Sequence, residues 1–177
     1  MKQFSARKKH TINPGPLRRL PGFEAVQHTW DSVHRMYAAR ILPGEYYVSC
    51  DREIIVTTLG SCVSACIRDR KSGIGGMNHF MLPDDNGSIK RDGACTTTAA
   101  RYGCFAMKHL IDTILVNGGS KENLEIKLFG GSSIMRSMTD VGIRNISFVR
   151  HYLGNDNLHV QSEDLGGSHP RKVMYLS

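Results

Sequence analysis

Apolar and polar positions follow two periods along this chain, one extended and one helical. Residues 63–68 and 74–82 are short apolar runs separated by Asp69-Arg70-Lys71-Ser72-Gly73, whose residue types favour a turn, so the pair reads as a β-hairpin. Over residues 98–116 the spacing changes: Ala99, Tyr102, Ala106, Leu110 and Ile114 recur at helical intervals, and Asn117-Gly118-Gly119 supplies the stop. Residues 45–49 and 53–57 read as strands around a Cys50-Asp51-Arg52 turn, and residues 125–129 as a buried strand ending at Gly130-Gly131. A second helix is expected over residues 143–153 with Gly154 as its stop, then final strands at 158–161 and 172–176. Residues 23–39 carry scattered aromatics and read as a short helix packed over the domain. Asp84-Asp85-Asn86-Gly87-Ser88 is a loop placed to touch a substrate.

Strands that do not alternate regularly with helices argue for an α+β fold over a doubly wound sheet. At 177 residues and 40% hydrophobic content the chain can bury one substantial core. It has no apolar run long enough to span a bilayer, and its basic start lacks the apolar stretch of a secretory signal, which predicts a soluble, cytoplasmic protein without membrane insertion. Five cysteines, an odd number without framework spacing, fit reduced thiols. Cys62 and Cys66 form a C-x3-C pair, but no histidine pair stands near them, and neither a metal nor a cofactor is expected.

The net charge of +7 suggests a nucleic-acid partner until it is located. Lys2, Arg7, Lys8, Lys9, Arg18 and Arg19 all lie before Gly22 with no acidic residue among them, and the remaining chain is nearly neutral. The expected organisation is a basic, flexible arm over residues 1–21 and one domain over residues 22–177, with no nucleic-acid function assigned to the arm.

The hairpin is where chemistry concentrates. If its loop spans residues 69–72, Cys62 and His79 stand directly opposite each other, with Cβ atoms about 5 Å apart, close enough for thiol and imidazole to form a catalytic dyad. A five-residue loop ending at Gly73 would instead make His79 a diagonal neighbour. Taken singly, a free cysteine is usually a small buried hydrophobe, and His79 could be a hydrogen-bonded core histidine. Gly60-Ser61 before the cysteine favours the chemical reading, because glycine lets backbone N–H groups approach a reacting carbonyl.

Leu59-Gly60-Ser61-Cys62-Val63-Ser64-Ala65-Cys66, then Asp69, then Gly75-Gly76-Met77-Asn78-His79-Phe80-Met81-Leu82-Pro83 closely resembles the chemoreceptor glutamine deamidase family, CheD. Phe129-Gly130-Gly131-Ser132, Ile143-Arg144-Asn145-Ile146, and Asp164-Leu165-Gly166-Gly167 with Arg171-Lys172-Val173 fit the same pattern, as does Ile41-Leu42-Pro43-Gly44-Glu45-Tyr46-Tyr47-Val48 upstream. The pattern departs at His169-Pro170, which stand where the family carries a small or glycine residue before the arginine.

The resemblance implies a three-layer α/β/β sandwich in which helices cover one of two stacked sheets. It matches Cys62 to the family's nucleophile and His79 to its general base. The family's third catalytic residue is a threonine on the strand before the turn; Thr57 and Thr58 are both available, and Thr57 is favoured. Backbone N–H groups near Gly60 and Ser61 would stabilise the oxyanion. The implied reaction is hydrolysis of glutamine side chains to glutamate on cytoplasmic helices of methyl-accepting chemotaxis receptors, with a CheC-type phosphatase as a further partner. A module that only docks on receptor or phosphatase is the alternative, against which the intact Cys62 and His79 argue.

Overall fold

Residues 23–39 do not form the expected helix. In the computed structural model of the protein, which describes residues 17–82, 98–133 and 139–177, they contain strand β1 (Gln27–Asp31) and strand β2 (Met36–Arg40), paired antiparallel with Trp30 opposite Tyr37. The cause is local. Asp31 Oδ1 accepts hydrogen bonds from the backbone N–H groups of Val33 (2.8 Å) and His34 (2.9 Å), and Arg35 takes a left-handed φ of 57°, so the chain reverses where a helix would continue. The Trp30 and Tyr37 rings then meet edge to face across the pair, with centroids 5.4 Å apart.

Strands β3 (Tyr46–Ser49) and β4 (Ile54–Leu59) follow in sequence but enter different sheets. The hairpin expected next is present as β5 (Val63–Asp69) and β6 (Gly75–Asn78). Its loop is neither of the two anticipated. Asp69 stays in the strand, its N–H donating to Ile74 O at 2.8 Å, because its buried carboxylate accepts from the N–H groups of Lys71 (2.7 Å), Ser72 (2.9 Å) and Ser120 (2.7 Å). Burial alone would raise the Asp69 pKa, but these donors outweigh it and hold the group at about 2. The turn therefore starts one residue later, at Arg70, and closes at Gly73, whose φ of 76° suits glycine.

Helix α1 (Thr98–Val116), strand β7 (Leu124–Gly130), helix α2 (Thr139–Asn155) and strand β9 (Arg171–Leu176) lie close to their expected places, whereas strand β8 (Val160–Leu165) starts two residues later than expected and runs four residues further. The sheets are mixed: a four-stranded one in the order β1-β2-β4-β9 and a five-stranded one in the order β3-β6-β5-β7-β8, with β2/β4 and β7/β8 parallel and the other pairs antiparallel. Parallel β7 and β8 need a crossover, which α2 supplies.

Helix α1 lies against β3, β5 and β6, and α2 against β5, where Phe148 meets Phe80 edge to face at 5.9 Å. One continuous buried cluster joins Ile55 and Val173 of the four-stranded sheet to Ile67 and Met77 of the five-stranded sheet, Leu110 of α1 and Val149 of α2. A core shared by both sheets and both helices makes this a single α+β domain.

Cys50, Cys62 and Cys66 are free thiols, whereas Cys104 is disulfide-bonded, so the expectation of uniformly reduced cysteines fails for α1. Sequence spacing misses such a pair because bridging depends on approach in space. The loop expected at residues 84–88, Cys95, and residues 1–16 of the arm lie outside the described residues.

Candidate active site

The turn that carries Cys62 has all three of its carbonyls held. Gly60 O accepts from Ser132 N (2.9 Å), Ser61 O from Asn145 Nδ2 (2.7 Å) and Cys62 O from Gly131 N (2.7 Å). Such an approach by the end of β7 requires glycine at Gly130, where φ is 107° and any Cβ would collide with the Cys62 carbonyl. Behind this contact, Arg171 donates to both oxygens of Asp164 at 2.9 Å each and to Ser132 Oγ at 2.5 Å. Ser132 Oγ in turn donates to His169 O at 2.7 Å, so the His169-Pro170 departure is absorbed into the support of the turn.

His79 follows directly after β6, with its own backbone fixed on both sides: its N–H donates to Glu45 O (2.8 Å) and its carbonyl accepts from Gly44 N (2.7 Å). The ring is buried at 3% exposure, and its Nδ1 lies 2.8 Å from Thr57 Oγ1, which donates to Ile41 O at 2.9 Å. This chain of bonds decides the tautomer. A threonine hydroxyl has one hydrogen, and here Ile41 receives it, so toward the ring Oγ1 accepts and Nδ1 carries the proton. In the neutral imidazole Nε2 is then the lone pair, and it is buried without a hydrogen-bond partner among the described residues.

Thr57 and His79 thus meet directly, although they come from β4 and from the end of β6 in different sheets. Thr58 points the other way: it is exposed, paired in register with Lys172.

The position of Cys62 relative to His79 differs from the directly opposed pair. Cys66 pairs with Met77 and Val63 bridges Phe80, so Ser64, and not Cys62, stands opposite His79. Retention of Asp69 in the strand causes this two-residue displacement. An even slip preserves the face, which leaves Cys62 and His79 as same-face diagonal neighbours across the Val63–Phe80 bridge, a relationship that spans about 7–8 Å between Cα atoms.

Burial sets the resting protonation of both groups. Desolvation raises the Cys62 thiol pKa, against which its own backbone N–H pulls down, and desolvation lowers the His79 pKa, against which the Glu45 charge pulls up. Both directions favour the neutral forms, thiol and imidazole, at neutral pH. That combination suits a base that takes the thiol proton as attack begins.

Two participants were not singled out from the sequence. The Ile41 carbonyl that orients Thr57 is backbone and leaves no sequence signal. Asn145 did leave one: it falls at helical spacing with Val141, Phe148 and Val149 on the buried face of α2, a polar side chain where the stripe calls for an apolar one.

Comparison with known proteins agrees with the residue pattern. A family model described as CheD chemotactic sensory transduction matches residues 81–177. The chain is 52% identical over 158 residues to a protein of Halorhodospira halophila (strain DSM 244 / SL1), covering 89% of this chain and 73% of that protein. It is 48% identical over 171 residues to one of Hahella chejuensis (strain KCTC 2396), covering 97% and 79%. A third, from Thiobacillus denitrificans (strain ATCC 25259 / T1), is 53% identical over 140 residues, covering 78% and 68%. Each carries the name "Probable chemoreceptor glutamine deamidase CheD". The chain belongs to the CheD family.

Proposed function

We propose that this member of the CheD family is a cysteine-dependent protein-glutamine deamidase that converts glutamine side chains of methyl-accepting chemotaxis receptors to glutamate. The observation that carries the reading is the His79 ring, held at Nδ1 by Thr57 and without a partner at Nε2 among the described residues, on the same face as Cys62. The names of the relatives supply the substrate class.

In this reading His79 Nε2 accepts the Cys62 proton as the sulfur attacks the carboxamide carbon, forming the C–S bond and moving the carbonyl electrons onto oxygen. Backbone N–H groups of the Gly60-Ser61-Cys62 turn stabilise that oxyanion. Collapse breaks the C–N bond, and the imidazolium proton leaves with ammonia. Water, deprotonated by the same nitrogen, then hydrolyses the thioester to glutamate and restores the thiol. Thr57 touches no reacting atom; it holds the tautomer. The charge gained on the receptor helix is the signalling consequence.

The same reading takes the fold as the three-layer α/β/β sandwich of the family, the domain as residues 22–177 with a basic arm before it, and the compartment as the cytoplasm. The end of the arm touches the domain, with Arg18 on Asp51 at 2.9 Å and Leu20 against the core. A CheC-type phosphatase is the second proposed partner.

The test is incubation of the full chain with a purified receptor cytoplasmic fragment and peptide mass analysis for carboxamide-to-carboxylate conversion. Conversion by the wild type and none by Cys62→Ala is expected. No conversion by the wild type, or full conversion by Cys62→Ala, would remove the assignment.

A further inference from the structure

An oxyanion donor works only if its N–H is aimed before the charge develops, so the question is what aims the N–H groups of this turn. In a trans peptide the C=O and N–H point in opposite directions within one plane, and the Ser61–Cys62 bond is trans. Whatever grips the Ser61 carbonyl therefore also sets the direction of the Cys62 N–H. That grip is the 2.7 Å bond from Asn145 Nδ2.

Asn145 is wholly buried, and its other amide atom is also engaged: Oδ1 accepts from Leu82 N at 2.9 Å, on the segment that leaves His79. One carboxamide on α2 thus joins the nucleophile's turn to the segment that follows the base, from positions 84 and 63 residues away in sequence. The site asks for one donor and one acceptor, side by side. Asparagine supplies both in one plane, and no apolar residue supplies either.

We propose that Asn145 is a positioning residue of the acyl-transfer chemistry: by holding the Ser61 carbonyl it fixes the Ser61–Cys62 peptide so that the Cys62 N–H faces the oxyanion formed when the sulfur attacks. The inference rests on the reading of Cys62 as nucleophile, but it does not depend on which carboxamide is the substrate. It separates two reactions of the same sulfur. Acylation passes through a tetrahedral oxyanion and needs the aimed N–H; alkylation is a direct displacement at carbon and does not.

The experiment uses the full chain with two reagents, p-nitrophenyl acetate for acylation and iodoacetamide for alkylation. Modification is read on the peptide containing Cys62, with Cys62→Ala as background. Asn145→Asp is the informative variant. As a neutral acid its hydroxyl can donate to Ser61 O while its carbonyl accepts from Leu82 N, and as a carboxylate it cannot donate at all.

At pH 8 we expect acylation of the Asn145→Asp protein to fall on the order of 10²-fold relative to wild type while alkylation stays within about threefold. The acylation deficit should shrink as pH falls and the introduced acid protonates. Asn145→Ser, small enough to admit a bridging water, is the second variant should the aspartate lower the melting temperature too far; it should show a smaller acylation deficit, again without an alkylation deficit. Equal loss of both reactions in a folded variant, or undiminished acylation, would overturn the proposal. Because neither reagent is a glutamine, a wild-type protein that deamidates no receptor would sink the proposed substrate while leaving the Asn145 result readable.

Discussion

Among the described residues the rings of His28 and His79 are both buried, and they are kept in opposite ways. His28, on β1, has both ring nitrogens engaged: Nδ1 faces Val26 O at 2.8 Å, while Nε2 faces Tyr47 Oη at 3.1 Å and Glu53 Oε2 at 3.2 Å. Glu53 is held further by Tyr47 (2.8 Å) and Ser49 (2.6 Å), so the cluster ties β1 to β3 and β4. His79 has one nitrogen on a neutral hydroxyl and the other without a partner among the described residues. A ring engaged on both sides is a structural joint; a ring held on one side, on the strand face that also carries Cys62, is equipped to take a proton. Burial alone does not distinguish the two, but the hydrogen-bond ledger does.

The most severe way to break this contrast is to truncate both rings. His79→Ala should cut receptor deamidation per folded molecule by about 10²-fold or more, and the cavity left by the buried ring should lower the melting temperature as well. Cys62→Ala should abolish turnover altogether. By contrast, His28→Ala should keep normal turnover per folded molecule and lose about 3 kcal/mol in denaturant unfolding, because Glu53 is left buried without its basic neighbour. If His28→Ala lost turnover in proportion to His79→Ala while remaining folded, the division between joint and base would be mistaken.

Next in size is the threonine. Thr57→Val keeps the shape and removes the hydroxyl, leaving His79 Nδ1–H and Ile41 O without their shared partner. A loss of one such hydrogen bond in the productive state predicts about a tenfold lower kcat with KM little changed, and Thr57→Ser should restore most of it. Thr58→Ala, at an exposed position, should behave as wild type in the same assay. A larger defect in Thr58→Ala than in Thr57→Val would contradict the tautomer argument.

These sites also show what a sequence can carry. The β5–β6 hairpin, α1 and the strands β7 and β9 were legible because their signals are local: turn residues, period and stops. Thr57 and Thr58, adjacent on β4, take opposite faces as strand alternation requires, the first buried and the second exposed. The β1–β2 region was misread because its aromatics lack a clean period, and the deciding Asp31 turn competes with helix through side-chain bonds that periodicity does not see. Register was misread for a different reason. Asp69 stays in its strand partly because Ser120, 51 residues later, donates to it. Asn145 could be noticed as polar on an apolar face, but its partners Ser61 and Leu82 exist only in the folded chain.

The smallest effect tests the electrostatics of the bare nitrogen. For His79 to act as a base it must be neutral, and desolvation lowers its pKa from the ordinary 6.5. Turnover should therefore remain flat as pH falls through 6.5 and decline only at more acid values, since protonation of the ring begins later than in an exposed histidine. Glu45 opposes that shift, because its negative charge favours the imidazolium. Its carboxylate also accepts from Leu42 N at 2.8 Å, a bond that the amide oxygen of glutamine can keep. Glu45→Gln thus removes charge and preserves the loop beside His79. The acid limb of kcat should move further toward low pH while the plateau above it is unchanged. A limb that moves upward in Glu45→Gln, or one that already lies above 6.5 in the wild type, would mean that a group other than the buried His79 ring controls the proton.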